Sequence, residues 1–325
     1  EFASSSFRQG SASYEQIVDW AFPVRRVIAL LLPDFFGNPT HHTWFDVLSW
    51  RAQPVVQDLF GNPTQPLNTI YWGIKNAVEG ASYLGILPLL LALVSVIGRL
   101  RVPLRGAAGR YAPTAGDDVS EYRRSRFYVW FFLLLGAFSL SLVFGLPTYR
   151  LVFSLPFINQ LHSPFRWLFP YALSVAVLAG FGVTYLSGTT RQSTSAQSPF
   201  SGANTQRIVG WPVFWVGAVG VALLLVSLLF VDQLSPLAER AVRSLALADH
   251  AFESGRMFFM YQWRNLLIFG LTLIASGAVL RLSRCPIYLP SWMGGFAVWK
   301  PLALLVVVLD LFVAGYGFNP ASDPD

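Results

Sequence analysis

Charge is what this sequence has least of. Asp, Glu, Lys and Arg make up 12% of its 325 residues, about half the share of an ordinary soluble domain. A water-facing surface of normal charge density is therefore excluded. Cysteine is nearly absent: Cys285 stands alone, so no disulfide framework exists, and the topology below predicts a free thiol in a reducing compartment. No long low-complexity run is present, which excludes a collagen-like or disordered chain. P-loop, dinucleotide glycine pattern, metalloprotease helix and paired cysteines are all missing. The adjacent His41 and His42 are weak metal candidates, because neighbours on a loop seldom converge on one ion without further ligands. What abounds is apolar: 54% hydrophobic, 15% aromatic, mean hydropathy +0.49. The net charge of +6 sits in short segments between apolar runs, the pattern of membrane topology rather than of nucleic-acid binding. The composition predicts an all-α, polytopic membrane bundle with lipids as its immediate partners.

A bilayer-crossing helix needs about 20 mostly apolar residues. Six stretches qualify, near 80–98, 127–146, 167–187, 211–231, 263–280 and 297–318, so a transmembrane bundle is expected over 80–320. Pro88 predicts a kink in the first, and Gly180 and Gly182 predict close packing of the third. The basic residues concentrate in 99–126, 188–210 and 281–300, which the positive-inside rule makes cytoplasmic. The loops 99–126 and 188–210 are the long cytoplasmic ones, and both ends of the chain then face outward. Residue 1 is Glu, the methionines are Met257, Met260 and Met293, and no signal-peptide pattern opens the chain. A portion of the protein upstream is expected.

Two outward segments are more than connectors. Residues 232–261 contain good helix formers with Leu237, Leu245 and Leu247 beside Arg240 and Arg243, as in an amphipathic helix on the headgroup layer. Such a helix could be a lid or a plain connector. The first segment, 1–79, holds an apolar run at 19–33 that is too short to span and reads as a re-entrant or interfacial helix. After it comes a repeat, DFFGNPT at 34–40 and DLFGNPT at 58–64. Gly-Asn-Pro is turn chemistry, so two matched turns are expected, with cation ligation by the leading Asp as the alternative.

Polar residues at membrane depth are costly and mark function or structural pairing. Asp310 lies inside the sixth span and needs a partner, for which Arg264 and Arg166 are available. Glu79 stands at the mouth of the first span, where capping of the helix start is the simple account. His162 and Arg166 precede the third span. Arginine suits bidentate phosphate binding, and His162 could donate to the same anion, but snorkelling of Arg166 to headgroups explains it equally well.

The order of SASYE (11–15), LLPDFFGN (31–38), VEGASYLGILPL (78–89), LPFIN (155–159), SPFRW (163–167), LAGFG (178–182), LDL (309–311) and Asn319-Pro320 resembles the middle and C-terminal membrane portion of YfhO-like bacterial proteins, of the GT-C glycosyltransferase type. The loops at 105–125 and 188–206 fall outside the resemblance. It implies a protein of the bacterial cytoplasmic membrane that transfers sugar from a polyprenyl-phosphate donor on the outer face. In such enzymes an acidic residue of the first large outward loop is the catalytic base or a metal ligand. That loop is expected upstream of Glu1, so the resemblance assigns no catalytic residue here. No cofactor is evident, and a divalent cation would belong to that loop. Two further expectations stay open: a non-catalytic subunit of a larger membrane complex, and a lipid or solute translocator in which Pro88 and Asp310 would work.

Overall fold

The computed structural model describes residues 13–63, 69–100, 117–155, 163–192, 202–284, 287–290, 295 and 297–316. His162, Cys285 and the Asn319-Pro320 pair lie outside them. The described chain is mostly helical. Six apolar helices form a bundle: α2 (Ile86–Leu100), α3 (Asp117–Val143), α5 (Leu168–Gln192), α6 (Gly202–Ser227), α8 (Gly255–Leu282) and α9 (Trp299–Gly315). Each of the six apolar stretches of the sequence contains one of these helices, the first beginning six residues late at Ile86. Among the described residues four helical runs are long and apolar enough to cross a membrane: Arg124–Val143, Pro164–Ser187, Val209–Ser244 and Gly255–Leu282. The Ile86–Gly98 helix is apolar but shorter.

The bundle alternates in direction. The start of α2 meets the C-terminal half of α9, where the Ile86 N–H donates to Asp310. The end of α3 reaches back to the N-terminal region, where the Phe22 N–H donates to the Val143 carbonyl at 2.9 Å. Small residues set the closest approaches. A Cβ on Gly182 would lie 2.2 Å from the Leu91 carbonyl oxygen, and one on Gly277 2.6 Å from the Phe214 nitrogen, so only hydrogen fits there. Gly180 has nothing within 4 Å, so of the two expected packing glycines only Gly182 packs.

A cap covers one end of this bundle. It is built from α1 (Tyr14–Trp20), a 3-10 helix (Val24–Leu30), two small antiparallel pairs and the 231–254 segment. Strand β1 (Gly37–Asn38) pairs with β4 (Ile70–Tyr71), and β2 (Thr43–Asp46) with β3 (Arg51–Pro54). Strands of two to four residues are too short for periodicity to announce, so the all-α expectation missed them. Helix α1 opens with a capping box in which Ser13 and Gln16 exchange backbone bonds. The expected short helix at 19–33 is this α1 end plus the 3-10 helix.

The amphipathic segment is α7 (Val231–Ser244), which continues α6 through a 3-10 turn. The run Val209–Ser244 has 36 residues, about 54 Å of helix, so it overshoots a hydrocarbon core of roughly 30 Å. Residues 255–261 belong to α8 and not to the outward segment. The chain reverses at Leu247, which takes a left-handed φ of 71°. Val242, Ala248, Ala251 and Phe252 then join Phe36, Ile70 and Trp72 in one buried core. The two segments read as outward-facing are thus one body. Short α4 (Thr148–Phe153) closes the other side of the cap with Ile17 and Leu142.

Candidate functional site

Where the cap meets α8 and α9, two adjoining cavities share Pro33, Asp34, Tyr83 and Ala314. The smaller is bordered by Leu31, Asp34, Tyr83, Arg264, Asn265, Ile268, Phe269 and Asp310. The larger, of about 330 Å³, is bordered by Arg26, Asp34, Asn38, Tyr71, Gly80, Ser82 and the end of α9. Sequence positions near 30, 80, 264 and 310 converge here.

The floor is fixed by Asp310. Its carboxylate accepts from the Tyr83 hydroxyl at 2.6 Å and from the Ile86 N–H at 2.9 Å. Ile86 opens α2, whose first N–H groups have no intrahelical acceptor. A carboxylate on α9 supplies one, and negative charge suits that end of a helix. This is where the sequence expectation placed Glu79. Glu79 is exposed, seven positions before α2 begins, and the cap of α2 comes from a residue 224 positions away. The proposed Asp310–Arg264 ion pair is not formed. Arg264 borders the same cavity and is exposed, with no hydrogen bond or ion pair among the described residues.

The roof is the first DFFGNPT turn. The Gly37 N–H donates to the Asp34 carbonyl at 2.9 Å, and Gly37 takes a φ of +80°. Asn38 donates from Nδ2 to Asp34 Oδ1 at 3.3 Å. Helix α8 holds the turn from below: Gln262 donates to the Phe35 carbonyl at 2.8 Å, and Asn265 to the Asp34 carbonyl at 3.1 Å. These two amides fix the backbone of the turn at Asp34 and Phe35, and Asp34 borders both cavities.

His41, next along the chain, lies 2.8 Å from the Tyr261 hydroxyl through Nδ1. Burial pushes its imidazole below the usual value, opposed by Asp34 and reinforced by Arg264 and His42. The fold therefore favours neutral His41. Among the described residues no group of three His, Cys, Asp or Glu side chains could hold a metal. At the rim, Arg256 reaches from α8 to Asp46 at 2.8 Å. Burial raises the Asp46 carboxyl, but bonds from Ser49, the Leu48 N–H and Arg256 outweigh that and hold it below the usual carboxylate range.

Arg166 stands apart. It is exposed on the 3-10 turn Pro164–Trp167 and borders neither of these two cavities. The sequence argument missed Arg26. An arginine pair at 25–26 inside an apolar run bounded by Pro23 and Pro33 was the available signal, because a charge in such a run is either exposed or used.

No protein family, curated protein or solved structure matches this chain.

Proposed function

We propose that the chain is a six-span protein of the bacterial cytoplasmic membrane, with the cap on the outer face, and that its cap-side cavities carry a GT-C-type sugar transfer from a polyprenyl-phosphate donor. Charge asymmetry supports the orientation. Segments 99–126, 188–210 and 281–300 hold 12 basic residues against 3 acidic ones, the bias of cytoplasmic loops. In this topology α2 and α9 are the first and last crossings, shorter than the other four. The observation that carries the transfer reading is the smaller cavity. Asp34, Arg264 and Asp310 border it together with the apolar Ile268, Phe269 and Val313 of α8 and α9. At about 30 Å³ it is a crevice with room for one water, so in this reading the donor head group enters by parting α8 and α9, with charge on one side and apolar surface on the other.

In this account Arg264, which has no hydrogen bond or ion pair among the described residues, takes the donor phosphate in place of Arg166. Asp34 borders both cavities and accepts the proton of an acceptor hydroxyl. The hydroxyl oxygen bonds to the anomeric carbon, the bond from that carbon to the phosphate oxygen breaks, and the electron pair leaves with the polyprenyl phosphate. Catalysis rests on positioning and on stabilising the departing charge. The test is Arg264→Ala in the native full chain reconstituted in proteoliposomes with labelled polyprenyl-phosphate sugars. Loss of about 1.5–3 kcal/mol of charge-assisted bonding predicts donor binding weaker by about ten- to a hundredfold; unchanged donor binding would remove the reading.

The subunit alternative has its own observation. The apolar window within Val209–Ser244 is only 6% buried: α6 packs one face on α8 and leaves Trp215, Val219 and Leu223 on the other exposed to lipid or to a second chain. Stoichiometric co-purification of another membrane protein lost on Val219→Arg would favour it.

A further inference from the structure

We infer that the larger cavity is an oxyanion site whose anchor is Arg26, and that it takes a phosphate-bearing head group. The inference does not rest on the transfer reading, which places the donor phosphate on Arg264 in the neighbouring cavity, although the two readings share Asp34 at the common border. Arg26 is 5% exposed and borders a space of about 330 Å³, room for a phosphate group with several carbon atoms, since a water takes about 30 Å³. Among the described residues no carboxylate pairs with it. Its Nη1 reaches the Lys75 carbonyl at 3.5 Å, and its buried Nε has no partner. The guanidinium lies 5.0 Å from the Phe22 ring centroid and 6.0 Å from that of Phe36. Cation–π contact of this kind returns only part of what a buried charge loses in hydration. The same guanidinium also donates a hydrogen bond to Tyr71, which still leaves the buried Nε donor without an acceptor, a place that a phosphate oxygen would fill.

The surroundings are shaped for that guanidinium. A Cβ on Gly80 would fall 1.6 Å from Arg26 Nη2, so glycine at 80 is what lets the guanidinium reach the cavity border. Tyr71, whose hydroxyl donates to the Lys75 carbonyl, and the buried Ser82 border the same cavity. Asp34, on the same border, gives Oδ1 to Asn38 and keeps acceptor capacity for a ligand hydroxyl. A ligand with an oxyanion at one end and hydroxyls at the other meets both charges.

The experiment compares wild type, Arg26→Gln and Gly80→Ala of the native chain in nanodiscs by thermal melting and calorimetry. Inorganic phosphate and methyl phosphate are the soluble probes. Phosphatidic acid in the nanodisc, against phosphatidylcholine, is the lipid probe. Wild type should be stabilised by phosphate, and both substitutions should weaken binding about tenfold or more. A response to the soluble probes identifies a free phosphate-bearing solute; a response to phosphatidic acid alone identifies a lipid head group. In the absence of phosphate, Arg26→Gln should melt no lower than wild type, because an unpaired buried charge is removed. Should Arg26→Gln fail to fold, Gly80→Ala decides, since it keeps the charge and displaces only the head of a flexible side chain. No phosphate response in wild type, or an equal response in wild type and Gly80→Ala, overturns the inference. Lost transfer in Arg264→Ala with phosphate binding intact bears on the proposed reaction alone.

Discussion

The two copies of the Asp-x-Phe-Gly-Asn-Pro turn share a sequence and a backbone, and differ in everything around them. Gly37 and Gly61 both take a φ of +80°, and in each copy the glycine N–H closes onto the carbonyl of the leading Asp. Around the first copy, β1 presses so close to β4 that a Cβ on Gly37 would lie 2.0 Å from the Ile70 carbonyl oxygen, whereas Gly61 has nothing within 4 Å. The leading acids diverge in the same way. Asp58 turns inward on its own loop, accepting from the Phe60 and Asn62 N–H groups at 2.9 and 2.8 Å. Asp34 has its backbone anchored by Asn265, accepts from Asn38 Nδ2 and borders two cavities. The second turn's acid is taken up by its own loop and by His250 at 3.6 Å; the first turn's acid stands at the cavities. A motif fixes a turn, and the packing around it decides whether the turn is structure or site.

The largest effect expected follows from that difference. Gly61→Ala should cost about 1 kcal/mol, the left-handed penalty alone. Gly37→Ala pays the same penalty plus a backbone clash, and should cost about 3 kcal/mol or more or prevent folding. Melting midpoints in detergent check this, and equal losses would break the comparison.

A second pair of glycines sharpens the point inside the bundle. Gly180→Ala faces open space and should be nearly neutral, while Gly182→Ala must push α5 away from the Leu91 carbonyl. The latter should cost about 1–3 kcal/mol, the usual range for overpacking.

Acid should separate the two turns more gently. His41 beside the first turn has a lowered imidazole pKa, so the unfolded chain takes up the proton first. Stability is full above about pH 6.5 and falls as pH drops below it, until the folded value is passed. Burial raises the Asp58 carboxyl, but the Asn62 and Phe60 N–H groups and His250 hold it below the usual range. Its contribution is present above about pH 3.9 and is lost as pH falls through the folded value. A pH series of melting midpoints should lose the upper fall in His41→Gln and the lower one in Asp58→Asn; a wild-type curve flat from pH 7 to about 5 would contradict the first.

The sequence made these regions legible to different degrees. Hydropathy announces all six apolar helices, because an apolar run of helical length has few other uses. Gly-Asn-Pro announces both turns, since their chemistry is local. Legibility ended where partners are remote. Glu79 was the plausible cap for α2 by proximity, but Asp310 performs it through a fold-back that brings α9 beside the start of α2. The shared core of Trp72 with Val242 and Phe252 joins segments some 170 residues apart, and no periodicity encodes that. Arg26 was hidden inside an apolar run because its burial depends on Phe22, Phe36 and Gly80 together.

The most direct measurement compares Asp34→Asn with Asp58→Asn in the native chain, reconstituted in proteoliposomes and assayed for transfer of labelled sugar from polyprenyl-phosphate donors. Both substitutions change the leading acid of the same turn, so general damage to the motif affects both. The account predicts that Asp34→Asn loses transfer by about a hundredfold or more, the scale of general-base catalysis, while Asp58→Asn keeps wild-type turnover below its melting point. Equal activity in the two variants would contradict it and would leave the cavities at the cap without a role in the reaction.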